Sequence, residues 1–76
     1  MTPENRVKLT DLRPGDKARL VFMSPEVELR LFGFGLFPGT EIQVLQRFPS
    51  YIIRCERTEI ALETSVASQV EVEKPG

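Results

Sequence analysis

The hydrophobic and polar positions of this chain change period along its length. From Lys17 to Met23, Ala18, Leu20 and Phe22 alternate with Lys17, Arg19 and Val21. That is the period of two of a half-buried strand, and it places the first set inward. At Ser24-Pro25-Glu26 the rule switches, because serine suits a helix N-cap, proline the first helical position and an acidic group the helix N-terminus. A short helix is predicted from about Pro25 to Phe32. Val27, Leu31 and Phe34 fall at i, i+4 and i+7, so Leu31 and Phe34 are expected in the core, with Glu26 and Arg30 pairing across one turn. Gly33 and Gly35 stop the helix, since glycine is unfavourable inside one and favoured just beyond it.

After Thr40 the pattern is strand. Glu41 to Arg47 sets Ile42 and Val44 on one face, and Phe48-Pro49-Ser50 breaks the run. Tyr51 to Glu56 alternates again, a tight link at Arg57-Thr58 leads into Glu59 to Glu63, and Gln69 to Glu73 is a last alternating strand. Thr64 to Ser68 has room for one helical turn. Two segments, Leu12-Arg13-Pro14-Gly15-Asp16 and Leu36-Phe37-Pro38-Gly39-Thr40, share the form Leu-x-Pro-Gly-polar before a strand. Proline presets φ at the second position of a type II turn and glycine supplies the positive φ of the third. We read the echo as one turn type used twice, not as an internal duplication. Residues 1–8 are polar and expected to be a flexible N-terminus, residues 9–73 to form one domain, and residues 74–76 to fray. Five short strands with tight turns predict a mainly β fold, a small five-stranded β-barrel with one short inserted helix.

Composition narrows the function classes. With 76 residues, 41% of them hydrophobic, the chain has room for one core. Its 10 basic and 11 acidic side chains give a net charge of -1 with no run of one sign. Nucleic acid is therefore not an expected partner, because phosphate binding needs clustered Lys and Arg. The single Cys55 excludes an internal disulfide and fits a reducing, cytoplasmic setting. Histidine is absent, so no zinc site of nitrogen and sulfur ligands is expected. The polar N-terminus is unlike a signal peptide, and no apolar run approaches the roughly 20 residues of a membrane span.

Candidate chemistry is sparse. Cys55 shares its alternation with Tyr51 and Ile53, which favours core packing over a reactive thiol. Glu56, Glu59, Glu63, Glu71 and Glu73 are spread along strand exteriors and are expected to be solvated, since a hard-cation site needs several converging oxygens. No activated nucleophile, base or phosphate-cradling glycine loop is evident, so neither an enzyme nor a bound cofactor is expected. The stretch Arg30 to Thr40 is different. Phe32, Phe34 and Phe37 fall within six positions, more aromatic bulk than a helix end and a turn can all bury in so small a core. Phe37 and Phe32, with Arg30 and Tyr51 as rim residues, are the candidate partner-binding residues, because aromatics and arginine concentrate at interface centres.

Taken together, the chain resembles the FeoA family over roughly Leu9 to Val72. The matching parts are Leu12-Arg13-Pro14-Gly15-Asp16, Arg30-Leu31, Gly35-Leu36-Phe37-Pro38-Gly39-Thr40, Ile60-Ala61-Leu62, Ala67 and Val70-Glu71-Val72. The resemblance implies an SH3-like barrel and a cytoplasmic accessory protein of bacterial ferrous iron uptake. Its implied partner is the membrane ferrous iron transporter FeoB, which carries a GTP-binding domain. A second class follows from the same resemblance: the SH3-like C-terminal regulatory domain of iron-dependent transcriptional repressors, which is attached to a DNA-binding helical domain not recognisable in these residues. Two features depart from the family pattern. The loop between the middle strands is cut to Phe48-Pro49-Ser50, and the stretch around Phe34 is unusually aromatic.

Overall fold

The two Pro-Gly turns sit at opposite ends of one antiparallel strand pair and close it. The computed structural model describes residues 6–75. Strands β2 (Lys17–Met23) and β3 (Glu41–Gln46) pair with Lys17 opposite Gln43, Ala18 opposite Ile42 and Arg19 opposite Glu41. The turns extend this ladder. At one end the Gly15 amide donates to the Val44 carbonyl at 2.7 Å and the Val44 amide to the Asp16 carbonyl at 2.9 Å. At the other, the Gly39 amide donates to the Leu20 carbonyl at 2.6 Å and the Leu20 amide to the Thr40 carbonyl at 2.8 Å. The pattern is two-fold symmetric about the Ala18–Ile42 pair, which explains the repeated Leu-x-Pro-Gly-polar sequence without any duplication.

Each turn closes in the same way. Gly15 and Gly39 adopt φ of 96° and 98°, conformations that an L side chain resists. The Asp16 amide donates to the Arg13 carbonyl at 2.9 Å, and the Thr40 amide to the Phe37 carbonyl at 3.0 Å. The polar fourth residue then folds back: Asp16 Oδ2 accepts from the Arg13 amide at 2.9 Å and Thr40 Oγ1 from the Phe37 amide at 3.2 Å. The leucines that open the two motifs, Leu12 and Leu36, are both fully buried.

Around this pair runs a single sheet of six strands, not five. The order is β1-β6-β2-β3-β4-β5, with β1 at Arg6–Lys8, β4 at Tyr51–Cys55, β5 at Thr58–Leu62 and β6 at Val70–Glu73, all neighbours antiparallel. The added strand lies in the segment expected to be loose. Val7 faces Val72 across the β1–β6 ladder and packs against the core, which is why three residues suffice to hold it. The remainder of the expected flexible N-terminus, residues 1–5, and Gly76 lie outside the described residues. No ladder joins β1 to β5 among the described residues, so the SH3-like barrel stays partly open.

A short 3-10 turn at Leu9–Asp11 links β1 to the first Pro-Gly turn, helix α1 covers Pro25–Phe32, and one helical turn, α2, covers Thr64–Ala67. The core is aliphatic: Leu9, Leu12, Leu20, Leu31, Leu36, Ile42, Val44, Ile53, Val70 and Val72 are fully buried, and no polar or charged residue among the described residues is buried with them.

Four local expectations are corrected. Phe22 faces outward, because the β2–β6 register shifts between Leu20 and Phe22; this bulge reverses the alternation and turns Met23 inward instead. Ser24 makes no side-chain cap; its hydroxyl donates to Gln69 Oε1 at 3.0 Å, tying the start of α1 to the α2–β6 connection. Arg30 pairs with Glu63 at 3.6 Å and not with Glu26. The β4–β5 turn falls one residue earlier than expected, at Glu56-Arg57, with Cys55 opposite Thr58.

Glu56 carries φ of 57° in that two-residue turn, a left-handed conformation costing an L-residue about 1–2 kcal/mol. Glu56→Gly should therefore raise the unfolding free energy by about 0.5–1 kcal/mol, after subtracting glycine's greater chain entropy. Gly39→Ala should lower it by about 1–3 kcal/mol. Urea denaturation of both variants checks the pair; a stabilising alanine or a destabilising glycine contradicts the turn assignments.

Candidate functional site

The end of α1 is built by backbone hydrogen bonds that decide which apolar side chains are left outside. The Leu36 amide donates to the Leu31 carbonyl at 3.1 Å and the Gly35 amide to the Phe32 carbonyl at 2.9 Å, the bond pair of a Schellman motif, with Gly35 at φ 81° as its left-handed residue. The apolar contact that accompanies this motif joins Leu31 to Leu36, both fully buried. The chain reverses at Gly35, so Leu36 takes the core position that helical spacing assigned to Phe34. Phe34 is 54% exposed, a correction to its expected place in the core.

All five phenylalanines of the chain are exposed, while the core is aliphatic apart from Tyr51. Phe32 and Phe37, 61% and 45% exposed, stack edge to face with ring centroids 5.2 Å apart. They join the helix end to the second Pro-Gly turn. Phe37 stands on a firm base, since both its amide and its carbonyl are hydrogen-bonded to Thr40. Beside Phe32, Leu29 is 77% exposed and lines, with Pro25, Glu28 and Phe32, a shallow groove of about 330 Å³.

Leu29 was not singled out from the sequence, although a signal was present. Pro25, Leu29 and Phe32 stand at i, i+4 and i+7, a second apolar stripe on the face opposite Val27 and Leu31, given about 100° per residue. A helix with one core face has no structural need for it.

The other candidate site residues separate. Arg30 is exposed and its guanidinium reaches Glu63 on the α2 side of the helix, an exposed pair worth at most about 1 kcal/mol. Tyr51 is 5% exposed and packs in the core opposite Leu62, so it is not a rim residue; two positions from Ile53 on β4, it shares the inward face. Phe48 is exposed in the loop that leaves β3 at the end bonded to the first turn, where Val44 pairs with Gly15 and Asp16 and Arg47 donates to the Thr10 carbonyl at 3.3 Å, and so at the opposite end of the strand pair from the second turn.

Of the carboxylates expected on strand exteriors, three on strands and one on a connection meet arginines: Glu71 with Arg6 at 2.8 Å, Glu73 with Arg19 at 3.9 Å and Glu59 with Arg54 at 3.3 Å, and Glu63, at the start of α2, with Arg30 at 3.6 Å. No group of three His, Cys, Asp or Glu side chains converges among the described residues. A smaller depression of about 170 Å³, lined among others by Lys17, Glu41, Arg54 and Glu56, mixes both signs of charge. No helix among the described residues is long and apolar enough to cross a membrane.

The fold and surface define a small SH3-like domain with an aromatic face beside its helix. The FeoA domain profile matches residues 7–74, and the chain belongs to the FeoA family, which is associated with ferrous iron transport. It is similar to an iron uptake regulatory protein (FeoA) of known crystal structure, at 32% identity over 92% of this chain and 99% of that one, with a TM-score of 0.80. Iron(II) transport protein A from Clostridium thermocellum is 33% identical over 90% of this chain and 45% of that one, with a TM-score of 0.78. T. acidophilum IdeR shares the fold, with a TM-score of 0.86 at 22% identity over 99% of this chain, which spans 37% of that protein. No curated protein sequence matches the chain.

Cys55 packs half-buried against the core at the end of β4. Burial, and less strongly the neighbouring Glu56 carboxylate, push its thiol up from the ordinary value. Its folded state thus holds the proton more tightly than the unfolded state, so stability is unaffected below the ordinary thiol pKa and falls as pH rises through the raised one. Alkylation of native protein by iodoacetamide should accordingly titrate above the range of a free thiol and return to that range in urea. A native titration below it contradicts this environment.

Proposed function

We propose that this protein is a cytoplasmic accessory module of bacterial ferrous iron uptake that acts by binding the cytoplasmic portion of the membrane ferrous iron transporter FeoB. The observation that carries the reading is the Phe32–Phe37 pair, two aromatic rings held together in solvent on a hinge whose backbone is fixed on both sides. Aromatic anchors of this kind dominate interface energetics when a partner desolvates them. Fixing them beforehand reduces the ordering cost of association. Arg30 stands about 160° around α1 from Phe32, on the side of Glu63, so any contact it makes to a partner lies apart from the aromatic pair.

Membership of the FeoA family supports the link to iron uptake. The likeness to IdeR supports the architecture alone, and a repressor-type role would require a helical DNA-binding partner domain. The reading is of an interaction module that does no chemistry and holds no cofactor of its own.

Binding to the cytoplasmic portion of the transporter, measured by calorimetry at micromolar concentration with the GDP and GTP-analogue states, tests this. Phe37→Ala should weaken association about tenfold or more, a loss of about 1.4 kcal/mol, and destabilise the fold by less than that. Wild-type affinity in the folded variant removes the aromatic face from the interface. No association in either nucleotide state removes the partner.

A further inference from the structure

The outer stripe of α1 differs from the aromatic pair in one respect: the charges beside it that have no ion-pair partner among the described residues, Glu26 and Glu28, are both acidic, while Arg30, about 100° from Leu29 on the Glu26 side, is paired with Glu63. With about 100° of rotation per residue, Glu26 lies about 60° to one side of Leu29 and Glu28 about 100° to the other, so carboxylates flank the apolar stripe on both edges. Both are exposed, and neither pairs with a basic side chain among the described residues, unlike four of the carboxylates on the strands and their connections. Glu28 itself lines the groove beside Leu29 and Phe32. The nearest base on the helix, Arg30, is turned toward Glu63. Leu29, at 77% exposure, contributes nothing to the core that would account for a leucine.

We propose that this groove receives a basic amphipathic helix of the partner protein, its apolar stripe seated on Leu29 and Phe32 and its Lys or Arg side chains meeting Glu26 and Glu28. This rests on the docking reading above and specifies its partner chemistry. The occupant follows from the charge pattern. An acidic helix would set like charges along both edges, and a wholly apolar segment would leave Glu26 and Glu28 at the rim without partners. A helix lying along α1 presents residues three and four apart to the groove and the flanking positions to both rims at once, the geometry of helix-in-groove recognition. The carboxylates then supply specificity and encounter rate more than bulk affinity.

The test is an NMR titration of the 15N-labelled protein with a synthetic 14-residue peptide carrying leucine at helical i, i+3, i+4 spacing and lysine elsewhere, against the same peptide with glutamate replacing lysine. The lysine peptide should shift the amides of Glu26 to Phe32 and of Phe37, and bind at least about tenfold more tightly than its counterpart. Leu29→Ala and the double variant Glu26→Gln/Glu28→Gln should each weaken it about tenfold, with the amides of β2 to β6 unmoved in the free protein. Equal binding of the two peptides, shifts centred elsewhere, wild-type affinity in the double variant, or self-association lost in Leu29→Ala overturns the proposal. The transporter reading is separated by repeating Leu29→Ala with the transporter's cytoplasmic portion. Unchanged binding there overturns the groove and leaves the transporter in place. Failure of the wild type to bind the transporter, with the lysine peptide still seated on α1, supports the groove and removes the transporter.

Discussion

The structure depends first on the reciprocal closure of β2 and β3. Four backbone bonds, two at each end, are made by the turn residues Gly15, Asp16, Gly39 and Thr40 to Val44 and Leu20 on the opposite strand. Each Pro-Gly turn therefore both starts its own strand and finishes the other. Once this pair is set, Leu12 and Leu36 are delivered into the core from opposite ends, and β6 and β4 have a template on either side. In a chain this short, with a single cysteine and no polar residue buried among the described residues, such closure replaces what a larger core would supply.

The same constraint explains why the aromatic residues are outside. Leu36 must follow Gly35 directly into the core to complete the helix stop, which commits Phe34 to the solvent side and Phe37 to the first position of the turn. The aliphatic core is complete without any phenylalanine. Five exposed phenylalanines in 76 residues are more apolar surface than folding requires, and those on and beside α1 form one connected face through the Phe32–Phe37 contact and the groove at Leu29. The groove is the more specific part, because its edges are charged and unpaired.

Much of this was legible in the sequence, for identifiable reasons. Turn chemistry is local, so both Pro-Gly turns, the helix bounds at Pro25–Phe32 and the one-turn α2 follow from residue types alone. What failed was non-local. The bulge that exposes Phe22 is set by pairing with β6, some fifty residues away, and β1 exists only because β6 offers Val72 to Val7. Tyr51 is a rim candidate only on the enrichment of aromatics at interfaces, and its phase with Ile53 puts it inside. Phe34 was assigned by helical spacing past a glycine that ends the helix. Leu29 carries no core signal, because Val27 and Leu31 already supply the buried face of α1.

The central claim is that the apolar face of α1 is surplus to the fold. The direct measurement is the unfolding free energy of the double variant Leu29→Ala/Phe32→Ala in urea. Alanine keeps the helix, so the account predicts a change within about 1 kcal/mol of wild type, as for exposed positions. A loss of about 5 kcal/mol or more, the sum expected for truncating two core side chains, would show that the face is structural and contradict the account.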